Sequence, residues 1–121
     1  MTQCLVVDEN SHERRAVSEL LSGYGFTLVE SDNADGALKI CRTNTPDVVV
    51  MADKVGMARQ DFIKRARKGG RGKHPIVLVY TGDANADAIG RAILDGAAEC
   101  LVKPFDRDLL EFKLRQVGLI R

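Results

Sequence analysis

The stretch Pro46-Asp47-Val48-Val49-Val50-Met51-Ala52-Asp53 decides the fold. Its apolar residues do not alternate with polar ones, so both faces of this segment must be covered. That pattern, rich in β-branched valine, belongs to a strand inside a parallel sheet with helices on both sides. Pro46 and Asp53 bound it, because both residue types favour turns over strand interiors.

Toward the N-terminus the same unit recurs. Cys4-Leu5-Val6-Val7 is a short apolar run that ends in Asp8-Glu9-Asn10. A helix follows with Ala16, Val17, Leu20 and Leu21 on one face. Asn10, with Glu13 three residues later, resembles a capping box, and Gly23 lies just past the end. Phe26 to Val29 reads as a second strand, and Asp32 or Asn33 caps a helix whose inner face is Ala34, Ala37, Leu38 and Cys41.

Toward the C-terminus a helix is expected around 61–67, with Phe62, Ile63 and Ala66 inward. The segment 68–75 reads as flexible, with Gly69, Gly70 and Gly72 among basic residues. Ile76 to Tyr80 is a fourth strand. Asn85 to Asp95 is a helix with Ile89, Ala92 and Ile93 inward, closed by Gly96. Cys100-Leu101-Val102 is a fifth strand. Phe105 and Asp106 start a last helix that carries Leu110, Leu114 and Val117 on one face, with Gly118 beyond. Strand and helix alternate five times, which gives an α/β fold with a doubly wound parallel sheet.

The bulk numbers narrow the function. The chain has 121 residues, the size of one domain, so 1–121 reads as a single domain with no output domain. It is 45% hydrophobic and 29% charged, enough for a packed core. A formal net charge of +1 argues against nucleic-acid binding through bulk charge. Cys4, Cys41 and Cys100 are scattered and odd in number, as in a reduced cytoplasmic protein rather than a disulfide framework. The N-terminus lacks a signal-peptide pattern, and the apolar runs are far too short to span a membrane.

In such sheets ligands bind beyond the carboxyl ends of the strands. Those ends are Asp8-Glu9, Ala52-Asp53, Thr81-Gly82 and Lys103-Pro104-Phe105. Converged on one pocket, Asp8, Glu9 and Asp53 would repel each other unless a cation neutralised them. An open set of oxygen ligands suits Mg²⁺. Thr81 could hydrogen-bond a phosphoryl oxygen, and Lys103 could pair with a carboxylate or an anion. A carboxylate such as Asp53 is a competent phosphoryl acceptor, because it can form an acyl phosphate. A flavin-binding reading would want a Ser/Thr/Gly-rich loop after the first strand, where the chain has Asp8-Glu9-Asn10. A DNA-binding regulator would need an added helix-turn-helix.

Val6-Val7-Asp8-Glu9-Asn10, Pro46-Asp47, Thr81-Gly82 and Asp95-Gly96-Ala97 leading to Leu101-Val102-Lys103-Pro104-Phe105 together resemble the receiver domain of two-component response regulators. The resemblance covers the whole chain and is strongest to stand-alone, chemotaxis-regulator-like receivers. It implies a flavodoxin-like (βα)5 sheet of strand order 2-1-3-4-5. It also implies a cytoplasmic signalling module rather than an enzyme, which accepts a phosphoryl group from a sensor His kinase or phosphotransfer protein with Mg²⁺. The metal would sit on Asp8, Glu9 and Asp53, with Thr81 and Lys103 at the phosphoryl group and a commonly cis Lys103–Pro104 bond. A downstream protein would dock on the fourth helix, fifth strand and fifth helix, with no membrane or direct nucleic-acid contact.

The sequence departs from the family pattern at the acceptor. Four apolar residues after Pro46-Asp47 the next position is Ala52, and Asp53 comes one later. One step along a strand turns a side chain to the other face. Either a bulge in the third strand restores Asp53 to the pocket, or Ala52 holds the acceptor position, naturally or by engineered replacement. The fewest-gap alignment favours Ala52, and the chain would then be a pseudo-receiver that binds a partner without phosphorylation. Val55-Gly56 stands where the family often has Met-Pro, and Cys100 stands where it usually has a switching aromatic. Glu9 replaces the commoner second Asp. Arg67, Lys68, Arg71, Lys73 and His74 read as a solvated basic loop.

Overall fold

A computed structural model describes residues 2–69, 74–82 and 85–121. Gly70, Arg71, Gly72 and Lys73, the centre of the basic loop, lie outside the described residues, as do Met1, Asp83 and Ala84.

Five strands form one parallel sheet: β1 (Gln3–Val7), β2 (Thr27–Ser31), β3 (Val48–Ala52), β4 (Ile76–Thr81) and β5 (Glu99–Val102), in the order β2-β1-β3-β4-β5. The helices are α1 (Ser11–Leu21), α2 (Ala34–Thr43), α3 (Arg59–Gly69), α4 (Ala86–Leu94) and α5 (Arg107–Gln116). The expected strand order is therefore the observed one. β3, central in the sheet, is buried along its whole length, which is why its sequence carries no alternation. No helix among the described residues is long and apolar enough to cross a membrane.

Side-chain caps start four helices. Asn10 Oδ1 accepts the Glu13 N–H at 3.0 Å, and Asn33 Oδ1 accepts the Gly36 N–H at 2.8 Å. Asn85 Oδ1 accepts from Asp87 N at 2.7 Å, and Asp106 Oδ1 from Leu109 N at 2.9 Å. Each satisfies an amide that the helix leaves unpaired.

Three details differ from the sequence reading. In α1 the inward residues are Val17, Ser18 and Leu21, while Ala16 is exposed. In α4 only Ala92 is fully buried; Ile93 is 44% exposed, because one residue along a helix turns the side chain by about 100° from the packed face. α3 begins at Arg59, two residues before the expected start, and this extension places Arg59 beside Asp53.

Burial raises the Cys4 thiol from 9.0 to about 12 and the Cys41 thiol from 9.0 to about 11. The unfolded chain releases these protons at lower pH than the folded one. Stability is therefore complete below 9.0 and falls as pH rises toward the folded values, by up to about 1.4 kcal/mol per pH unit per thiol. Urea unfolding on either side of pH 9.0 should show this decline, and a Cys4→Ala/Cys41→Ala variant should show a shallower one.

Candidate functional site

The ends of β1, β3, β4 and β5 open onto a cleft of about 420 Å³ lined by Asp8, Glu13, Ala52, Asp53, Tyr80, Thr81 and Lys103, among others. The register of the sheet sets who meets whom. Val48 to Ala52 pair one-to-one with Ile76 to Tyr80, and Cys4 to Val7 pair one-to-one with Val48 to Met51. This run contains no bulge, so Ala52 lies abreast of Tyr80. Asp53 follows the strand, and its N–H still donates to the Tyr80 carbonyl at 3.1 Å.

Asp8 is 3% exposed, yet each of its carboxylate oxygens has a protein donor. Oδ1 accepts the Asn10 N–H at 2.9 Å, and Oδ2 accepts the Tyr80 phenol at 2.7 Å. The Asn10 N–H is thus taken by Asp8, and the capping box keeps only one of its two bonds. Glu13 reaches Lys103 instead, with Nζ donating to Oε2 at 2.6 Å. The same ammonium lies 5.4 Å from the centroid of the Tyr80 ring, a cation–π contact. Burial, the hydrogen bond to Asp8 and the charges of Asp8 and Glu13 all push the Tyr80 phenol upward, so it stays a neutral donor.

Asp53 has a different set of partners. Arg59 Nη1 donates to Oδ1, and the Thr81 hydroxyl donates to Oδ2 at 3.3 Å. Arg59 also donates through Nε to Asp95 Oδ2 at 3.0 Å, where Asp95 caps the end of α4. One guanidinium thereby joins the end of β3 to the end of α4. Glu9 lines a neighbouring cavity of about 600 Å³ with Asp53, Gly56, Arg59 and Asp95. A Cβ on Gly56 would come within 3.4 Å of Glu9 Oε1, and Gly56 has φ +82°, which excludes the Pro that the family pattern often carries here. Val55 beside it is fully buried, and its carbonyl accepts the Ala34 N–H at 3.0 Å.

The structure therefore brings Asp8, Asp53, Thr81 and Lys103 around one cleft, but Asp8, Glu9 and Asp53 do not converge. Among the described residues no group of three His, Cys, Asp or Glu side chains is placed to hold a metal ion. The donor set does not fit Mg²⁺. Both Asp8 oxygens accept protein hydrogen bonds, Asp53 faces a guanidinium, and the Ala52 side chain offers no oxygen. Lys103–Pro104 is a cis peptide bond. Cys100 is buried on β5, and its thiol is pushed upward mainly by desolvation.

Sequence reading missed Tyr80, Glu13, Arg59 and Asp95 as parts of the site. Only Tyr80 gave a signal: a large phenol at the end of an aliphatic strand, one residue before Thr81. Arg59 and Asp95 meet only through the fold.

A family model for the response regulator receiver domain matches residues 4–115. The chain is 33% identical to the chemotaxis protein CheY of Pseudomonas aeruginosa, over 93% of each. Chemotaxis protein CheY4 of Vibrio cholerae superposes with a TM-score of 0.84 at 25% identity, covering 97% of this chain and 98% of that one. The receiver domain of a sensor histidine kinase from Pseudomonas aeruginosa, with a magnesium ion coordinated in its active site cleft, gives 0.81 at 18% identity, over 97% of this chain and 98% of that one.

Proposed function

Because the chain belongs to the response regulator receiver domain family, a family of signalling modules, we propose that it is a pseudo-receiver, which signals through protein contacts without taking up a phosphoryl group. One observation carries this reading: the bulge-free register pairs Ala52 with Tyr80, whose phenol donates to Asp8, while Asp53 is held by Arg59 and Thr81. A phosphoryl acceptor must present a free carboxylate oxygen to the incoming phosphorus. An Asp53 oxygen paired with a guanidinium is a poor nucleophile.

The residues instead form a closed set of internal pairs: Asp8 with Tyr80, Glu13 with Lys103, Asp53 with Arg59. These fix the strand ends and the loops that lead into α1, α3 and α5. The face toward a partner would be α4, β5 and α5, where Ile93, Leu94 and Phe112 are exposed. That partner would be a protein of a cytoplasmic two-component pathway, a sensor His kinase or phosphotransfer protein on one side and a downstream target on the other.

A second reading keeps Asp53 as acceptor with Mg²⁺ on Asp8, Glu9 and Asp53. The Thr81 hydroxyl on Asp53 favours it. It would require Arg59 to leave Asp53 and Tyr80 to release Asp8.

The test is incubation with acetyl phosphate or beryllofluoride and Mg²⁺. In the acceptor reaction a carboxylate oxygen bonds to phosphorus as the acetate oxygen leaves with its electron pair. The expected result is an unchanged intact mass and unmoved amide resonances at residues 52, 53, 81 and 82. A phosphoryl adduct mapped to Asp53 would establish the second reading.

A further inference from the structure

Tyr80 lies on β4 and Asp8 at the end of β1, with β3 between them in the sheet. Adjacent strands are about 4.8 Å apart, so the two backbones are separated by about 10 Å. The phenol nonetheless reaches Asp8 at 2.7 Å, and the Tyr80 side chain is fully buried. The ring must therefore cross β3, and the residue it crosses is its register partner, Ala52. Paired residues of adjacent strands share a face, so the side chain of residue 52 sets the room available to the ring. A methyl group leaves that room.

We infer that the Tyr80 phenol is a built-in plug, filling the space that a larger side chain at position 52 would occupy and engaging Asp8 in place of any cation. This rests on the reading that residue 52 stands at the acceptor position, and it goes further: the alanine alone does not silence the site. Two residues on neighbouring strands do so together. The phenol supplies the neutral donor that Asp8 needs, and its ring face supports the Lys103 ammonium. Restoring a carboxylate without removing the ring would press it against the phenol and leave Asp8 unavailable.

The experiment compares phosphoryl uptake from acetyl phosphate and Mg²⁺ in four proteins: unsubstituted, Ala52→Asp, Ala52→Asp/Tyr80→Val and Ala52→Asp/Tyr80→Leu. The adduct site is mapped by peptide mass spectrometry, and folding is checked by amide resonance dispersion. The expected result is uptake at position 52 in the double variants at least tenfold above that of Ala52→Asp alone. Equal uptake in single and double variants would overturn the plug, as would no uptake in either folded double variant. An adduct on Asp53 in the unsubstituted protein would instead overturn the pseudo-receiver reading, so the two failures are distinguishable. A measurement that needs no variant is the Tyr80 hydroxyl proton by NMR. Bonded to Asp8 and shielded from water, it should exchange slowly enough to give its own resonance. A rapidly exchanging Tyr80 hydroxyl would also count against the plug.

Discussion

Tyr80→Ala lowers the unfolding free energy by about 3–5 kcal/mol, the range for truncating a large buried aromatic. Three losses combine. The ring leaves a cavity between β3 and the segment carrying Phe105, whose ring centroid lies 6.2 Å away. Asp8, 3% exposed, loses the donor to Oδ2, and an unpaired buried charge is costly. Lys103 loses its aromatic face. Tyr80→Phe keeps the ring and removes only the donor, so its cost is smaller, about 1–3 kcal/mol. Urea unfolding of both variants checks this. The midpoints should fall in the order unsubstituted, Tyr80→Phe, Tyr80→Ala, with the denaturant slope nearly constant. Equal midpoints for the two variants would mean that the hydroxyl, not the ring, carries the stability.

The second large effect is Phe62→Ala, also about 3–5 kcal/mol. Phe62 is fully buried, and with Ile63 and Ala66 it joins α3 to the hydrophobic core. A 121-residue domain has roughly 6–18 kcal/mol in total, so this one truncation removes a large share. The variant also reports on the site, because α3 carries Arg59 at its first residue. If α3 loosens, the amide resonance of Asp53, the partner of Arg59, should move. By contrast, Leu94→Ala, at a residue 86% exposed, should leave the midpoint within about 0.5 kcal/mol.

The sheet was readable because its signals are local. Unbroken valines at 48–50, Asn and Asp caps and glycines past helix ends each follow from chain chemistry within a few residues. The strand-end residues Asp8, Thr81 and Lys103 were found the same way. What stayed hidden depends on distance in sequence. Lys103 meets Glu13 across 90 positions, and Arg59 meets Asp95 across 36. No periodicity records such pairs. Ile93 was read inward because its apolar character matches that of Ala92, but one helical step separates the packed face from solvent. The choice between Ala52 and Asp53 needed the strand register, which a single sequence leaves open.

The guanidinium of Arg59, shared between Asp53 and Asp95, bears on the kinetics of association. Asp95 ends α4, and Leu94, the most exposed large apolar side chain, is its immediate neighbour. Under the proposed function such an anchor would present one ready-made shape to a docking protein. A partner recognising that shape pays no fraction-competent penalty in affinity, and little ordering entropy at contact. Encounter would then proceed in a single kinetic phase whose observed rate rises linearly with partner concentration, instead of saturating at the rate of a preceding rearrangement; stopped-flow mixing checks this.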